Sequence, residues 1–214
     1  MNAERENLIS EDAFAPLHRG EIYDPGIPEI MEKQLTYLDD VFTYNQIPPS
    51  NLAERRAQLE SMFAEFGEDS YIEAPFYSNM GARHCHFGRA VYANFGLCLV
   101  DDSHIYVGDH TMIGPNVVIA TAAHPICPDL RLKNLQYNLP VEIGRNCWIG
   151  ASAVILPGVK IGDGSVIGAG SIVTRDIPAG VVACGNPCRV LREIGPEDRL
   201  FYAHGREIDP GLFD

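Results

Sequence analysis

Among the seven histidines of this 214-residue chain, His124 is the one whose position suits proton transfer. It ends a regular stretch, in Ala122-Ala123-His124-Pro125, directly before an irregular one. A neutral imidazole near pH 7 can take a proton from an alcohol as its oxygen attacks. A hydrogen-bonded structural histidine is the alternative. Asn94 and Asp101-Asp102 interrupt an otherwise apolar pattern. They read either as corner turns or as a polar acceptor pocket near His124. His84-Cys85-His86 offers soft metal ligands, but alternation along a strand gives one face two of them at most. Arg175, Arg189 and Arg192 fall within eighteen residues of an acidic protein. They form either a solvated face or a phosphate-binding group.

A regular scaffold must hold these residues. From Ile143 to Pro178 the aliphatics Ile143, Ile149, Ile155, Ile161, Ile167 and Val173 recur every six residues. Gly follows many of them, and small residues mostly sit four positions on. A helix wants apolar residues about every 3.6 and a two-faced strand every 2. A period of six fits a chain wound as a three-sided prism, with one aliphatic per short face pointing inward. Three hexads make a turn, so Ile149 should stack on Ile167 and Ile143 on Ile161. Gly and Asp-Gly at the corners would supply positive φ.

The grid starts near Phe87, slips by two residues at Ile105-Tyr106, and resumes at Val107, Ile113 and Ile119. The slip predicts a bulge at a corner. Residues 125–142 break the pattern and should project as a loop, often the binding side of a solenoid. Residues 1–70 read as an N-terminal helical segment, 71–195 as the β-helix and 196–214 as a tail. One helix starts at Pro28, with Met31, Leu35, Leu38 and Phe42 as its apolar stripe. A second is capped by Asn51 with Glu54 as a capping-box partner. Leu59, Met62, Phe63 and Phe66 form its stripe, and Gly67 its C-cap. Both should pack on the solenoid or on a neighbouring subunit.

The net charge of −13 argues against nucleic-acid or anionic-membrane partners. No stretch reaches the roughly 18–20 apolar residues of a membrane span. The N-terminus lacks the basic-then-apolar layout of a signal peptide. The six cysteines form no CxxC pair, so free thiols and a cytoplasmic location are expected.

The chain resembles the hexapeptide-repeat O-acetyltransferases of the maltose and galactoside group, over about residues 17–194. The resemblance rests on Gly20-Glu21-Ile22-Tyr23-Asp24, Tyr92-Ala93-Asn94-Phe95, Val100-Asp101-Asp102 and Ala123-His124-Pro125. It also rests on Cys147-Trp148-Ile149-Gly150, the run Val166 to Thr174, and Gly185-Asn186-Pro187-Cys188-Arg189-Val190. It implies a mainly β protein, a left-handed parallel β-helix with a small N-terminal helical segment. It further implies a homotrimer with sites between subunits, moving acetyl from acetyl-CoA to a sugar hydroxyl, with no metal required.

By that resemblance His124 is the general base and Asn94 orients it or the acceptor. Asp24, Asn79, Tyr92, Asp102 and Gln136 belong to the acceptor side. Trp148 shapes the cleft wall, and the backbone N–H near Ala151 meets the thioester oxyanion. Ala169, Thr174, Arg175, Arg189 and Arg192 contact coenzyme A. Asn79, Met31 and Gln136 depart from residues found in relatives: an acidic or hydroxyl residue, an arginine and a glutamate respectively. The segment Gly81–Gly88 is one residue longer than in relatives. Alternatives are serine or amino-sugar N-acylation on the same fold, a Cys127 acyl-enzyme, and a silent trimeric binding scaffold.

Overall fold

The structure, a computed structural model, describes residues 14–213. Residues 1–13 of the expected N-terminal segment lie outside the described residues. Short strands stack into three sheets of five, seven and five strands, the three faces of a prism, parallel throughout except for one antiparallel edge strand, Arg189–Glu193. Ile143 pairs with Ile161, Ile149 with Ile167 and Ile155 with Val173, so the expected 18-residue stacking holds. The inward rows are continuous. On the second face Ile72, Ala93, Ile113, Ile149, Ile167 and Ala183 lie one above another, each at most 1% exposed. Fully burying one such aliphatic is worth about 1.5–3 kcal/mol.

The glycine after many of the inward aliphatics answers a need for space. A Cβ on Gly150 would lie 2.5 Å from the Ala169 nitrogen, and one on Gly144 would lie 2.6 Å from the Asp163 nitrogen. Coils about 4.8 Å apart leave no room for a side chain there. The positive φ expected of glycine at the corners falls on Gly164 and Gly170 in the later coils, but on Ala90, His110, Asn116, Asn146 and Ser152 at other corners.

The outward rows differ in chemistry. The first face carries Glu65, His86, Tyr106, Glu142 and Lys160. The second carries Tyr71, Tyr92, Met112, Trp148, Val166 and Val182. The third carries Tyr77, Cys98, Val118, Val154 and Ile172. One face is therefore polar and two are apolar.

Winding begins earlier than the grid indicates. Glu65–Phe66 is already a strand, paired with His86 and Phe87. Phe66 to Phe87 is a step of 21 residues and Phe87 to Val107 one of 20. The extra residues sit in the corner between the third and first faces, around 79–84 and 101–104. The slip is thus a widened corner, as expected.

Helix α1 spans Pro28–Gln46 and helix α2 spans Leu52–Met62. Helix α1 buries Ile30, Val41 and Tyr44. The stripe of Met31, Leu35, Leu38 and Phe42 stays exposed within one chain. Packing is decided by the Tyr44 end, where the phenol donates to the Ile72 carbonyl and the ring meets Phe76. Asn51 caps α2 by accepting from the Glu54 N–H, 3.4 Å away. The capping box does not close, because the Asn51 N–H donates to Pro48 instead. Helix α2 ends before Phe66 and Gly67: Phe63 is the C-cap, and Gly67 packs against Gly88 in the first coil.

The expected loop 125–142 ends two residues sooner, because Val141–Ile143 is already a first-face strand. The loop contains a short helix, Pro128–Arg131, and returns through Tyr137–Asn138, antiparallel to Ala122–Ala123. The strand Val181–Cys184 pairs with Arg189–Glu193, and the tail folds as short 3-10 turns and a two-residue hairpin. Among the described residues no helix is long and apolar enough to cross a membrane.

Candidate active site

The widened corner between the third and first faces gathers three of the five acceptor-side residues singled out above, Asn79, Asp102 and Gln136. Asp102 is 8% exposed and accepts from two amides: Asn79 Nδ2 at 2.7 Å and Gln136 Nε2 at 3.0 Å. Gln136 also reaches the Tyr23 hydroxyl at 2.8 Å and Asn138 Oδ1 at 2.9 Å. Asn138 Nδ2 donates to Tyr23 and to the Leu17 carbonyl. A backbone bridge between Tyr23 and Gln136 ties the N-terminal segment to the loop. Burial, ahead of every other influence, pushes the Tyr23 phenol up.

The adjacent carboxyl has a different part. Asp101 is fully buried and accepts from the Ser78 hydroxyl at 2.6 Å and the Met80 N–H at 2.8 Å. Burial raises its pKa, and its second oxygen has no partner among the described residues. It holds the corner from inside, bonded to the strand Tyr77–Ser78 and to the Met80 amide.

His124 lies beside this cluster in sequence and is exposed. Its Nδ1 donates to the Leu135 carbonyl at 2.8 Å. That bond fixes the tautomer and leaves Nε2 as a proton acceptor. Leu135 directly precedes Gln136, so the segment leading into the strand Tyr137–Asn138 both orients the imidazole and braces Asp102. Asp24 is exposed, with Oδ1 accepting from the Gly26 N–H at 2.9 Å; its neighbour Tyr23 enters the cluster instead.

Asn94 sits at another corner, between the second and third faces, after the strand Tyr92–Ala93. Its Oδ1 accepts from the Phe95 N–H at 2.8 Å, which leaves its NH2 outward. Ala151 and Ala169 occupy the same corner in later coils, stacked behind Gly150 and Gly168. Their amides donate to no other group among the described residues. Tyr92 and Trp148 lie on the second face, both exposed. One chain therefore does not bring Asn94 and His124 together.

Residues 140–175 match the bacterial transferase hexapeptide (six repeats) model. Residues 17–67 match the maltose acetyltransferase hexapeptide capping motif. The galactoside O-acetyltransferase of Lactococcus lactis is 46% identical over 198 residues, covering 92% of this chain and 96% of the relative. The chain belongs to the galactoside and maltose acetyltransferase family. The galactoside O-acetyltransferase of Escherichia coli is 43% identical over 196 residues, covering 92% of this chain and 96% of its own. A solved structure of a galactoside acetyltransferase in complex with coenzyme A superposes with a TM-score of 0.86 at 42% identity. It covers 89% of this chain and 94% of its own.

Within this member of the family the basic residues near the end of the coil differ in state. Thr174 and Arg175 are exposed after the inward Val173. Arg189 is exposed and donates to the Cys188 carbonyl at 2.7 Å. Arg192 is held by Asp198 through both terminal nitrogens, at 2.8 and 2.7 Å. In the His84-Cys85-His86 triplet, Cys85 points into the core and burial raises its pKa.

Sequence reasoning missed Tyr23, Gln34, Asn138 and His18. Gln136 and Asn138 had a legible signal: they alternate with Leu135, Tyr137 and Leu139, a period-two polar face. Gln34 had none, because its partner Asn79 is 45 residues away.

Proposed function

We propose that the chain transfers acetyl from acetyl-CoA to a hydroxyl of a sugar of the galactoside, glucoside or maltose kind. The observation that carries this is the His124 imidazole, anchored through Nδ1 on Leu135 with Nε2 open, beside a braced carboxylate. The acceptor hydroxyl gives its proton to Nε2 as its oxygen bonds to the thioester carbon. Leu135 stabilises the imidazolium that forms. The carbonyl becomes an oxyanion, met by the Ala151 N–H. As it re-forms, the C–S bond breaks, and the proton passes from His124 to the coenzyme A sulfur. A well-placed base is worth about 10²–10⁴-fold and one oxyanion donor about 3 kcal/mol.

The acceptor is held by Asp102, Asn79 and Gln136, with Asp24 at the rim. The donor lies along Trp148, Ala151, Ala169, Thr174, Arg175 and Arg189, and Arg192 braces the strand beside it. The protein is a homotrimer. The His124 corner of each copy meets the Asn94 and Tyr92 side of the next, so each site takes residues from two chains. Support comes from the apolar outward row of the third face and the exposed stripe on α1. These flank a groove of about 500 Å³ next to Asn79. The free cysteines suit a reducing cytoplasm.

The test is release of free thiol from acetyl-CoA against a panel of glycosides and amines. Turnover on at least one glycoside is expected. Turnover confined to amines would assign N-acylation, and none at all with no coenzyme A binding would leave a scaffold.

A further inference from the structure

We propose that Gln34, on α1, is a positioning residue that acts through Asn79 to set how Asp102 presents itself to the acceptor. The inference rests on the reading of Asp102 as an acceptor-binding residue. Gln34 Nε2 lies 3.1 Å from the Asn79 carbonyl oxygen and 2.9 Å from Asn79 Oδ1. A side-chain amide has one donor end and one acceptor end. With Oδ1 taken by Gln34, the NH2 end of Asn79 faces Asp102 Oδ2, 2.7 Å away. Turned over, Asn79 would set donor against donor at Gln34 and oxygen against oxygen at Asp102.

The second carboxylate oxygen is held from the loop by Gln136. Each oxygen of Asp102 thus has one neutral amide donor, one routed from α1 and one from the loop. A carboxylate has about four lone-pair sites, so each oxygen keeps room for a donor from the pocket. That donor is a sugar hydroxyl. Helix α1 contributes no reacting group; it fixes a direction.

The experiment uses the full chain in the thiol-release assay, varying acceptor and acetyl-CoA separately. Gln34→Glu accepts where Gln34 donates and should turn Asn79 over. Its acceptor KM should rise about tenfold or more, with the acetyl-CoA KM within about twofold. Gln34→Met, near in size and without a donor, carries the same direction should the new charge disturb α1. Gln34→Lys restores a donor and should bring the acceptor KM back to within about threefold of wild type. In an Asp102→Ala background, Gln34→Glu should add nothing further.

Equal acceptor KM values in Gln34→Glu, Gln34→Lys and wild type would overturn the inference. So would equal losses in the Glu and Lys variants. If Asp102→Ala alone leaves the acceptor KM unchanged, the acceptor reading fails and takes this inference with it. If Asp102→Ala raises it while Gln34→Glu and Gln34→Met do not, only the role of Gln34 fails.

Discussion

His124 Nδ1 lies 2.8 Å from the carbonyl oxygen of Leu135, and this contact fixes which ring nitrogen can work as a base. The next residue along, Gln136, spends its side chain on Asp102. The loop that breaks the hexad repeat therefore organises both the His124 imidazole and the Asp102 carboxylate. Its antiparallel pairing with Ala122–Ala123 makes that arrangement stiff.

Replacing His124 with Ala should lower kcat by about 10²–10⁴-fold. The side chain is exposed, so thermal melting and circular dichroism should not change. Steady-state kinetics at saturating acetyl-CoA checks this, and unchanged turnover removes His124 from the reaction.

Gln136→Ala removes an NH2 whose two N–H groups serve Asp102, Tyr23 and Asn138, all within 3.0 Å. Leaving buried acceptors unpaired costs about 1–3 kcal/mol. Urea denaturation should show that loss. Kinetics should show a higher acceptor KM with little change for acetyl-CoA. Unaltered stability would mean that water replaces the amide.

Gly150→Ala tests the close approach of coils. The added Cβ meets backbone, 2.5 Å from Ala169 N and 2.7 Å from Ile167 O, and backbone cannot step aside. Overpacking of this kind costs about 1–3 kcal/mol. A denaturation midpoint equal to wild type would show that the coils can separate.

The histidines His18, His84, His86 and His104 form a cluster between the N-terminal segment and the first-face corner. His18 stacks on His104 at 4.5 Å and meets His84 edge-on at 4.6 Å, and His86 Nε2 lies 2.9 Å from His104 Nδ1. Burial first, then the neighbouring rings, lowers His18 to about 4; burial also lowers His86 and His104. In the unfolded chain these groups titrate near 6.5. The unfolded state therefore binds more protons as pH falls through 6.5 toward 4, and stability drops across that window. Glu65 works against the shift at His86, and buried Asp101, with its raised pKa, favours the folded state at low pH. His18→Gln should flatten the decline in melting temperature between pH 7 and 5. An unchanged slope would remove the cluster from the acid response.

The regular coil was legible because one inward aliphatic per face leaves a strict period, as at Ile143, Ile149 and Ile155. The early coils were not, since the widened corners at 79–84 and 101–104 add residues between Phe66, Phe87 and Val107. The α1 stripe was legible as apolar, with its cover open between the solenoid and a neighbouring subunit; it stays exposed within one chain, and periodicity does not say which neighbour covers a face. His124, Asp102, Asn79 and Gln136 come together at one corner. Tyr23, Gln34 and Asn138 escaped notice because their roles exist only through distant partners.

The central claim is that His124 of one chain works with Asn94 of another, since one prism holds them at different corners. Mixing His124→Ala and Asn94→Ala proteins, each inactive alone, and letting their subunits exchange tests this directly. In a three-fold ring of random mixture, about one quarter of the sites would regain both residues. Recovery of activity toward about a quarter of wild type is the predicted result. Continued inactivity of the mixture, with mixed trimers demonstrated by differently tagged chains, would contradict the account.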